Sequence, residues 1–92
     1  MFTTANKIKE YLVDFLEFHK EDLKVSTIEQ MENNILWKQA RAIFTTIAML
    51  LDYEPDTYQG DTLLNTVYDG AKLNNNIVDQ NDFDLYMWSN LC

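Results

Sequence analysis

Apolar residues recur at helical spacing through the first part of the chain. Between residues 4 and 24 they follow the i, i+3, i+4, i+7 rule, which places them on one face of a helix. This stripe consists of Ile8, Tyr11, Leu12, Phe15, Leu16 and His19, and Val13 and Phe18 widen it. Charged residues occupy the remaining faces, so we predict a first helix over residues 4–24.

A capping signal precedes the next helical pattern. Ser26 and Glu29 have the spacing of a capping box, in which the serine oxygen accepts from the Glu29 amide and the carboxylate reaches back to the Ser26 amide. A second helix is expected to begin one residue after the serine. Asn33-Asn34 interrupts its pattern, because asparagine competes for backbone hydrogen bonds. The apolar spacing continues to Leu51, so one long helix is expected, and a short helix followed by a longer one from about Ile35 is the alternative.

Proline and polar residues separate this region from a third helix. Pro55 cannot lie inside a helix and biases the residue before it towards extended backbone. We therefore predict a loop over residues 52–60, with a turn near Gly60. Asp61 is expected to cap a third helix over residues 62–73.

Residues 77–91 fit two patterns. Asp79 or Asn81 can cap a helix, yet Phe83, Leu85 and Met87 alternate as they would in a strand. The chain has only 2 glycines and 1 proline in 92 residues, and all-β folds use more of both in their turns. The scarcity favours helix here as well.

These patterns predict the fold class. We expect one acidic, helical domain over residues 1–92, an all-α bundle of four to five helices. A short irregular or β-like C-terminal segment is the alternative for residues 77–91. Apolar residues make up 47% of the chain, which is enough for one modest core.

Negative charge is concentrated in the second half. Residues 1–46 carry six basic and seven acidic side chains, a net −1. Residues 47–92 carry Lys72 against eight acidic side chains, a net −7, and the whole chain has a net charge of −8. Nucleic-acid backbones and anionic membranes would repel such a chain. A basic protein surface would attract it.

No targeting signal or disulfide pattern is visible. Cys92 is the single cysteine, so no internal disulfide can form. The first residues, MFTTANKIKEY, lack the basic flank and long apolar run of a signal peptide. The longest apolar run, IAMLL, is too short to span a bilayer. These features predict a cytoplasmic protein.

The sequence offers little for catalysis or metal binding. The one histidine, His19, lies on the apolar stripe, where a packed boundary residue is the expected role. An EF-hand beginning at Asp52 would need glycine at its sixth position and glutamate at its twelfth, and the chain has Thr57 and Leu63 there. We therefore expect a non-enzymatic protein without a metal or a cofactor.

One short motif resembles a family pattern. Gly60-Asp61-Thr62-Leu63 is similar to the Gly-x-Asp-Ser-Leu motif of acyl carrier proteins, which are also small, acidic and helical. Thr62 stands where that family has its phosphopantetheine-bearing serine, and the motif is one residue short. No role is carried over to these residues.

The stretch from residue 52 onwards combines carboxylates with tyrosines, which are enriched at interfaces. We predict that it binds a basic surface of a protein partner, such as a nucleic-acid-binding protein or a nuclease. The chain is similar in size and charge to anti-restriction, anti-CRISPR and nuclease immunity proteins, although no motif matches. The predicted contact residues are Asp52, Tyr53, Glu54, Asp56, Tyr58, Asp61 and Asp69.

The alternative is a self-associating helical module whose acidity serves solubility. In that interpretation the apolar face of the second helix, with Met31 and Trp37, pairs with a second copy of the chain, giving a homo-oligomer.

Overall fold

The computed structural model describes residues 4–70 and 79–89. The regular structure of these residues consists of helices. They are α1 (Thr4–Phe18), α2 (Ile28–Glu32), α3 (Ile35–Leu51), α4 (Tyr58–Gly70) and α5 (Gln80–Trp88). No strand occurs within these residues. The all-α prediction, with four to five helices, is confirmed.

The central element is α3, which packs against α1, α2 and α5. Aromatic rings join it to α5. Phe44 meets Trp88 with ring centroids 4.9 Å apart, and Trp37 meets Phe83 at 6.0 Å, both edge to face. Each such pair contributes about 0.5–1.5 kcal/mol to stability, beyond what the burial of its apolar area contributes. The buried residues of α3 are Trp37, Ala40, Phe44, Ile47 and Ala48.

The predicted length of the first helix is wrong, since α1 ends at Phe18, six residues before its predicted end. Side chains from the start of α3 hold the turn that follows. The Trp37 indole nitrogen donates to the Leu23 carbonyl at 2.8 Å, and the Asn34 amide donates to the Asp22 carbonyl at 2.9 Å. These bonds hold the turn after α1 against the start of α3 and satisfy two carbonyls that follow the helix.

The predicted stripe of α1 is buried only along its centre. Leu12, Phe15 and Leu16 are buried, and Ile8 is partly buried against the core. The outer members of the stripe are largely exposed, at 58%, 48% and 83%; they are Tyr11, Val13 and Phe18. The apolar pattern of α1 is therefore wider than the face that the other helices cover.

The second helical pattern is broken at Asn33-Asn34, which is the alternative of a short helix followed by a longer one. The Asn34 side-chain oxygen accepts from the amides of Leu36 at 2.9 Å and Trp37 at 3.2 Å. Asn34 is thus the N-cap of α3, a role that its short polar side chain suits.

The N-cap of α2 lies one residue later than predicted. Thr27, not Ser26, is the N-cap, and its hydroxyl accepts from the Gln30 amide at 3.1 Å. The Gln30 side chain accepts in turn from the Ser26 amide at 2.8 Å. Two overlapping S/T-x-x-E/Q pairs exist in this segment, and the structure uses the second.

The third predicted helix begins earlier than its pattern suggested. It starts at Tyr58, so Asp61 lies inside the first turn and is not the cap. Thr57 has that position, because its hydroxyl accepts from the Gly60 amide at 3.2 Å. The predicted turn near Gly60 is replaced by helix, and residues 71–73 lie outside the described residues.

The predicted helix near the C-terminus is confirmed over residues 80–88. Asp79 caps it, accepting from the amides of Asn81 at 2.9 Å and Asp82 at 3.2 Å. Phe83 and Met87 are buried while Leu85 is 72% exposed, which a helix explains. Residues 77, 78, 90 and 91 lie outside the described residues.

The face expected to self-associate does not reach the surface. Met31 and Trp37 are both fully buried in the core. The placement of a homo-oligomer interface on these two residues is therefore wrong.

Candidate binding surface

The acidic loop, residues 52–57, connects α3 to α4 and is fixed by its own backbone. Asp52 closes α3 in the left-handed region, with φ 54° and ψ 38°, and its amide points to the Ala48 and Met49 carbonyls. Asp56 also has positive φ, at 62°. Aspartate adopts this region more readily than most residues with a side chain. Two of the predicted contact residues thus also shape the loop.

Gly60 lets the acidic loop pack against the start of α4. A Cβ on Gly60 would overlap the Glu54 carbonyl oxygen and would lie 2.9 Å from Cζ2 of Trp88. Thr57 strengthens the same corner, since its hydroxyl donates to the Glu54 carbonyl at 2.7 Å. The loop backbone is therefore held against α4 and α5, while the carboxylates of Glu54 and Asp56 are exposed.

Carboxylates from the loop, α4 and α5 lie together. Burial raises the pKa of the partly buried Asp84 carboxyl, and the charges of Asp61 and Asp56 raise it further. One Asp84 oxygen, Oδ1, is buried without a hydrogen-bond partner among the described residues. Sequence reasoning did not select Asp84, because the spacing of α5 does not indicate which of its carboxylates faces α4.

The remaining predicted aspartate lies farther along α4. Asp69 is eight residues from Asp61, a separation of about 12 Å along the helix. Burial is the largest cause that raises the pKa of the Tyr68 hydroxyl. The negative charges of Asp79, Asp69 and Asp84 raise it further. Asp69 therefore lies away from the acidic loop.

The two predicted tyrosines lie on the other side of α4, towards α1. Tyr53 is partly buried, and its hydroxyl accepts from the Lys9 ammonium at 3.1 Å. The same ammonium lies 5.2 Å from the centre of the Tyr53 ring. Tyr58 is 82% exposed. The predicted contact residues are thus divided between two neighbouring surfaces. Asp56 and Asp61 lie near Asp84 of α5, and the two tyrosines lie towards α1.

A groove of about 480 Å³ separates α1 from α4 beside these tyrosines. Leu12 and Leu63, both buried, form its floor. The remaining lining residues are Lys9, Glu10, Val13, Asp14, Tyr53, Tyr58, Gln59, Thr62 and Thr66. The sequence did not predict the groove. Val13, which lines it, fitted the apolar stripe of α1, so its pattern gave no sign that it is exposed.

The candidates for chemistry are dispersed. His19 packs between the rings of Phe15 and Phe18, with centroids 4.6 and 4.8 Å away, as expected of a boundary residue. Within residues 4–70 and 79–89, no group of three or more metal-ligating side chains is placed to hold an ion. Over the same residues, no helix has the length and apolar character needed to cross a membrane.

Comparison of the chain with protein-family models, with curated proteins and with solved structures found no match.

The first prediction concerns the Gly60 corner. Gly60→Ala should lower the free energy of unfolding by about 1–2 kcal/mol, because a clash with backbone outweighs the better helix propensity of alanine. Urea denaturation measures the change. Gly70→Ala is the matched control, since its Cβ would meet no backbone of another segment and would contact only the Leu16 side chain, with Cδ1 at 3.3 Å and Cβ at 4.0 Å. Equal stability of wild type and Gly60→Ala would contradict the close approach.

The second prediction concerns Asp84. Its folded-state pKa lies above the ordinary value of about 3.9. Ionisation of Asp84 at neutral pH therefore lowers the free energy of unfolding. This loss of stability disappears once the pH is below about 3.9, because the carboxyl is then protonated in both the folded and the unfolded state. Asp84→Asn should therefore raise the thermal unfolding midpoint at pH 7. The gain should shrink towards about pH 3, where the wild-type carboxyl is protonated.

Circular dichroism melts over this pH range test the second prediction, with the exposed Asp22→Asn as the control of equal charge. A gain for Asp84→Asn that does not vary with pH would show that packing, not ionisation, is responsible.

Proposed function

We propose that the protein works by stoichiometric binding to a basic surface of a protein partner, without a chemical step. The contact is made by the acidic face, defined as Asp52, Glu54, Asp56 and Asp61 on the surface with Asp84 at its base. The observation that carries the proposal is the crowding of unneutralised carboxylates. None of the four surface residues forms an ion pair with a described residue, and two of them raise the pKa of Asp84.

The frame around the acidic face favours binding. Capping bonds at Asp52 and Thr57, and the close approach at Gly60, hold the loop in one conformation. Binding by a preorganised surface loses less conformational entropy than binding by a mobile one. A cationic partner would also relieve the repulsion among Asp56, Asp61 and Asp84, and long-range attraction would speed its encounter.

A nucleic-acid-binding protein is the partner class that fits this charge best. Its binding channel is lined with cations that normally contact closely spaced phosphates. Carboxylates on a helical frame can occupy those sites and exclude the nucleic acid. In this role the protein acts in the cytoplasm as an inhibitor, in the manner of anti-restriction, anti-CRISPR or nuclease immunity proteins.

A second candidate function, self-association, is favoured by one observation on α3. Ile35, Ala42 and Met49 recur every seven residues, which places them on one face of the helix. All three are exposed, Ile35 at 65% and Met49 at 64%. This stripe, and not Met31 with Trp37, would form the interface. Light scattering over a range of concentrations tests it, and Met49→Lys should then lower the mass.

The prediction for the acidic face uses two triple variants of equal charge. Glu54→Gln/Asp56→Asn/Asp61→Asn removes three face carboxylates, and asparagine keeps the positive φ at position 56 accessible. Asp22→Asn/Glu29→Gln/Glu32→Gln removes three carboxylates elsewhere. Partners captured from lysate at low and moderate salt are identified and purified, and their affinities are measured by calorimetry.

The face variant should bind the purified partner about tenfold more weakly than wild type, since exposed ion pairs contribute roughly 0.2–1 kcal/mol each. The control variant should bind within about twofold of wild type. Equal losses for both variants would show that total charge, and not this face, governs the interaction.

A further inference from the structure

Three polar side chains of the groove between α1 and α4 form hydrogen bonds within the protein. The Thr62 hydroxyl donates to the Tyr58 carbonyl at 2.7 Å, and the Thr66 hydroxyl donates to the Thr62 carbonyl at 2.9 Å. The Lys9 ammonium donates to the Tyr53 hydroxyl. An apolar occupant would therefore cover the two threonine hydroxyls without leaving their donors unpaired.

The length of the groove suits a helix. Its α4 wall consists of residues 58, 59, 62, 63 and 66, which form a stripe over two helical turns, or about 12 Å. A partner helix laid along this stripe would present its i, i+3 or i+4, and i+7 side chains over the same distance. The volume, about 480 Å³, lies in the range of about 300–1,000 Å³ typical of ligand sites.

The rim of the groove is negatively charged. Glu10 and Asp14 are four residues apart on α1, both are exposed, and neither forms an ion pair with a described residue. Like charges at this spacing repel each other. The cation of the groove lining, Lys9, is turned towards the Tyr53 ring. An occupant with cations beside its apolar residues would complement this rim.

We propose that the α1–α4 groove binds a cationic amphipathic helix of the partner. Its apolar residues lie over Leu12, Val13 and Leu63, and its lysines or arginines contact Glu10 and Asp14. The inference rests on the proposed function in taking the partner to be basic, and it adds the form of the recognised segment. A neutral apolar molecule would fill the groove but would leave Glu10 and Asp14 without a counter-charge.

The test uses the full chain and a synthetic 14-residue peptide of leucine and lysine arranged as an amphipathic helix, with affinity measured by calorimetry. Three further peptides serve as probes: the same residues scrambled to remove the periodicity, the helix with every lysine replaced by glutamine, and a lysine-only peptide. The amphipathic cationic helix should bind at least tenfold more tightly than each of the others. Equal binding of the scrambled peptide would overturn the helical form, and equal binding of the glutamine peptide would overturn the role of charge.

Variants locate the binding. Val13→Lys places a cation in the groove wall at a position that is 48% exposed and can therefore accept it. Val13→Lys should weaken binding of the amphipathic peptide at least tenfold. Ile35→Lys makes the same change of charge on α3 and should leave the affinity unchanged. Glu10→Gln/Asp14→Asn should weaken binding about threefold to tenfold relative to Asp22→Asn/Glu32→Gln. Circular dichroism confirms that each variant is folded.

The acidic-face variant separates this inference from the proposed function. If Val13→Lys and Glu10→Gln/Asp14→Asn bind the peptide as wild type does while Glu54→Gln/Asp56→Asn/Asp61→Asn binds it weakly, the groove is overturned and the acidic face stands. If only the groove variants weaken binding, the groove stands and the acidic face is not needed.

Discussion

The missing side chain at Gly60 is the constraint on which the candidate surface depends. Only without a Cβ can the Glu54 carbonyl and the Trp88 ring approach the first turn of α4 together. Trp88 also contacts Phe44 of α3, with ring centroids 4.9 Å apart. The acidic loop, α4, α5 and the central helix are therefore joined at one corner. Because the loop turns its backbone inwards there, its carboxylates are left on the outside.

Helix α4 divides the surface into two parts with different chemistry. Tyr58, Thr62 and Thr66 recur every four residues and line the groove towards α1. Asp61 and Asn65 lie on the side towards α5, where the Gln80 amide donates to the Asn65 side-chain oxygen at 2.6 Å. Positions 61 and 62 differ by about 100° around the helix axis. Charged and apolar surfaces are therefore neighbours on one rigid element, which matches a partner that is itself both cationic and apolar.

Local signals in the sequence predicted the features of the fold that depend on local interactions. Proline at position 55 and the caps at Asn34 and Asp79 act within a few residues, and the helix boundaries at Asn34 and Asp79 follow from them. The early end of α1 could not be predicted in this way. The turn that replaces its last residues is held by bonds from Trp37 and Asn34 to carbonyls more than ten residues earlier in the chain.

The candidate surface was predicted in composition but not in arrangement. Residues 52–61 were selected because charge and tyrosine concentrate there, and this stretch does combine exposed carboxylates with an exposed tyrosine. The spacing of α5 could not show that Asp84 lies beside Asp61, because that depends on how α4 and α5 pack. The α1–α4 groove was missed for the same reason: a pattern of apolar residues does not show where two helices diverge.

Asp84 weighs against an interpretation of the acidity as an aid to solubility alone. Solubility needs charge on the surface, where carboxylates cost little, and the chain has many such residues. A carboxyl between α4 and α5, with its pKa raised by burial and by two neighbouring aspartates, reduces stability at neutral pH and adds little exposed charge. Groups with perturbed ionisation are more frequent at functional sites than elsewhere. A cation bound at the acidic face would stabilise the ionised form of Asp84. The unfavourable free energy of ionising Asp84 in the free protein would therefore become a favourable contribution to binding.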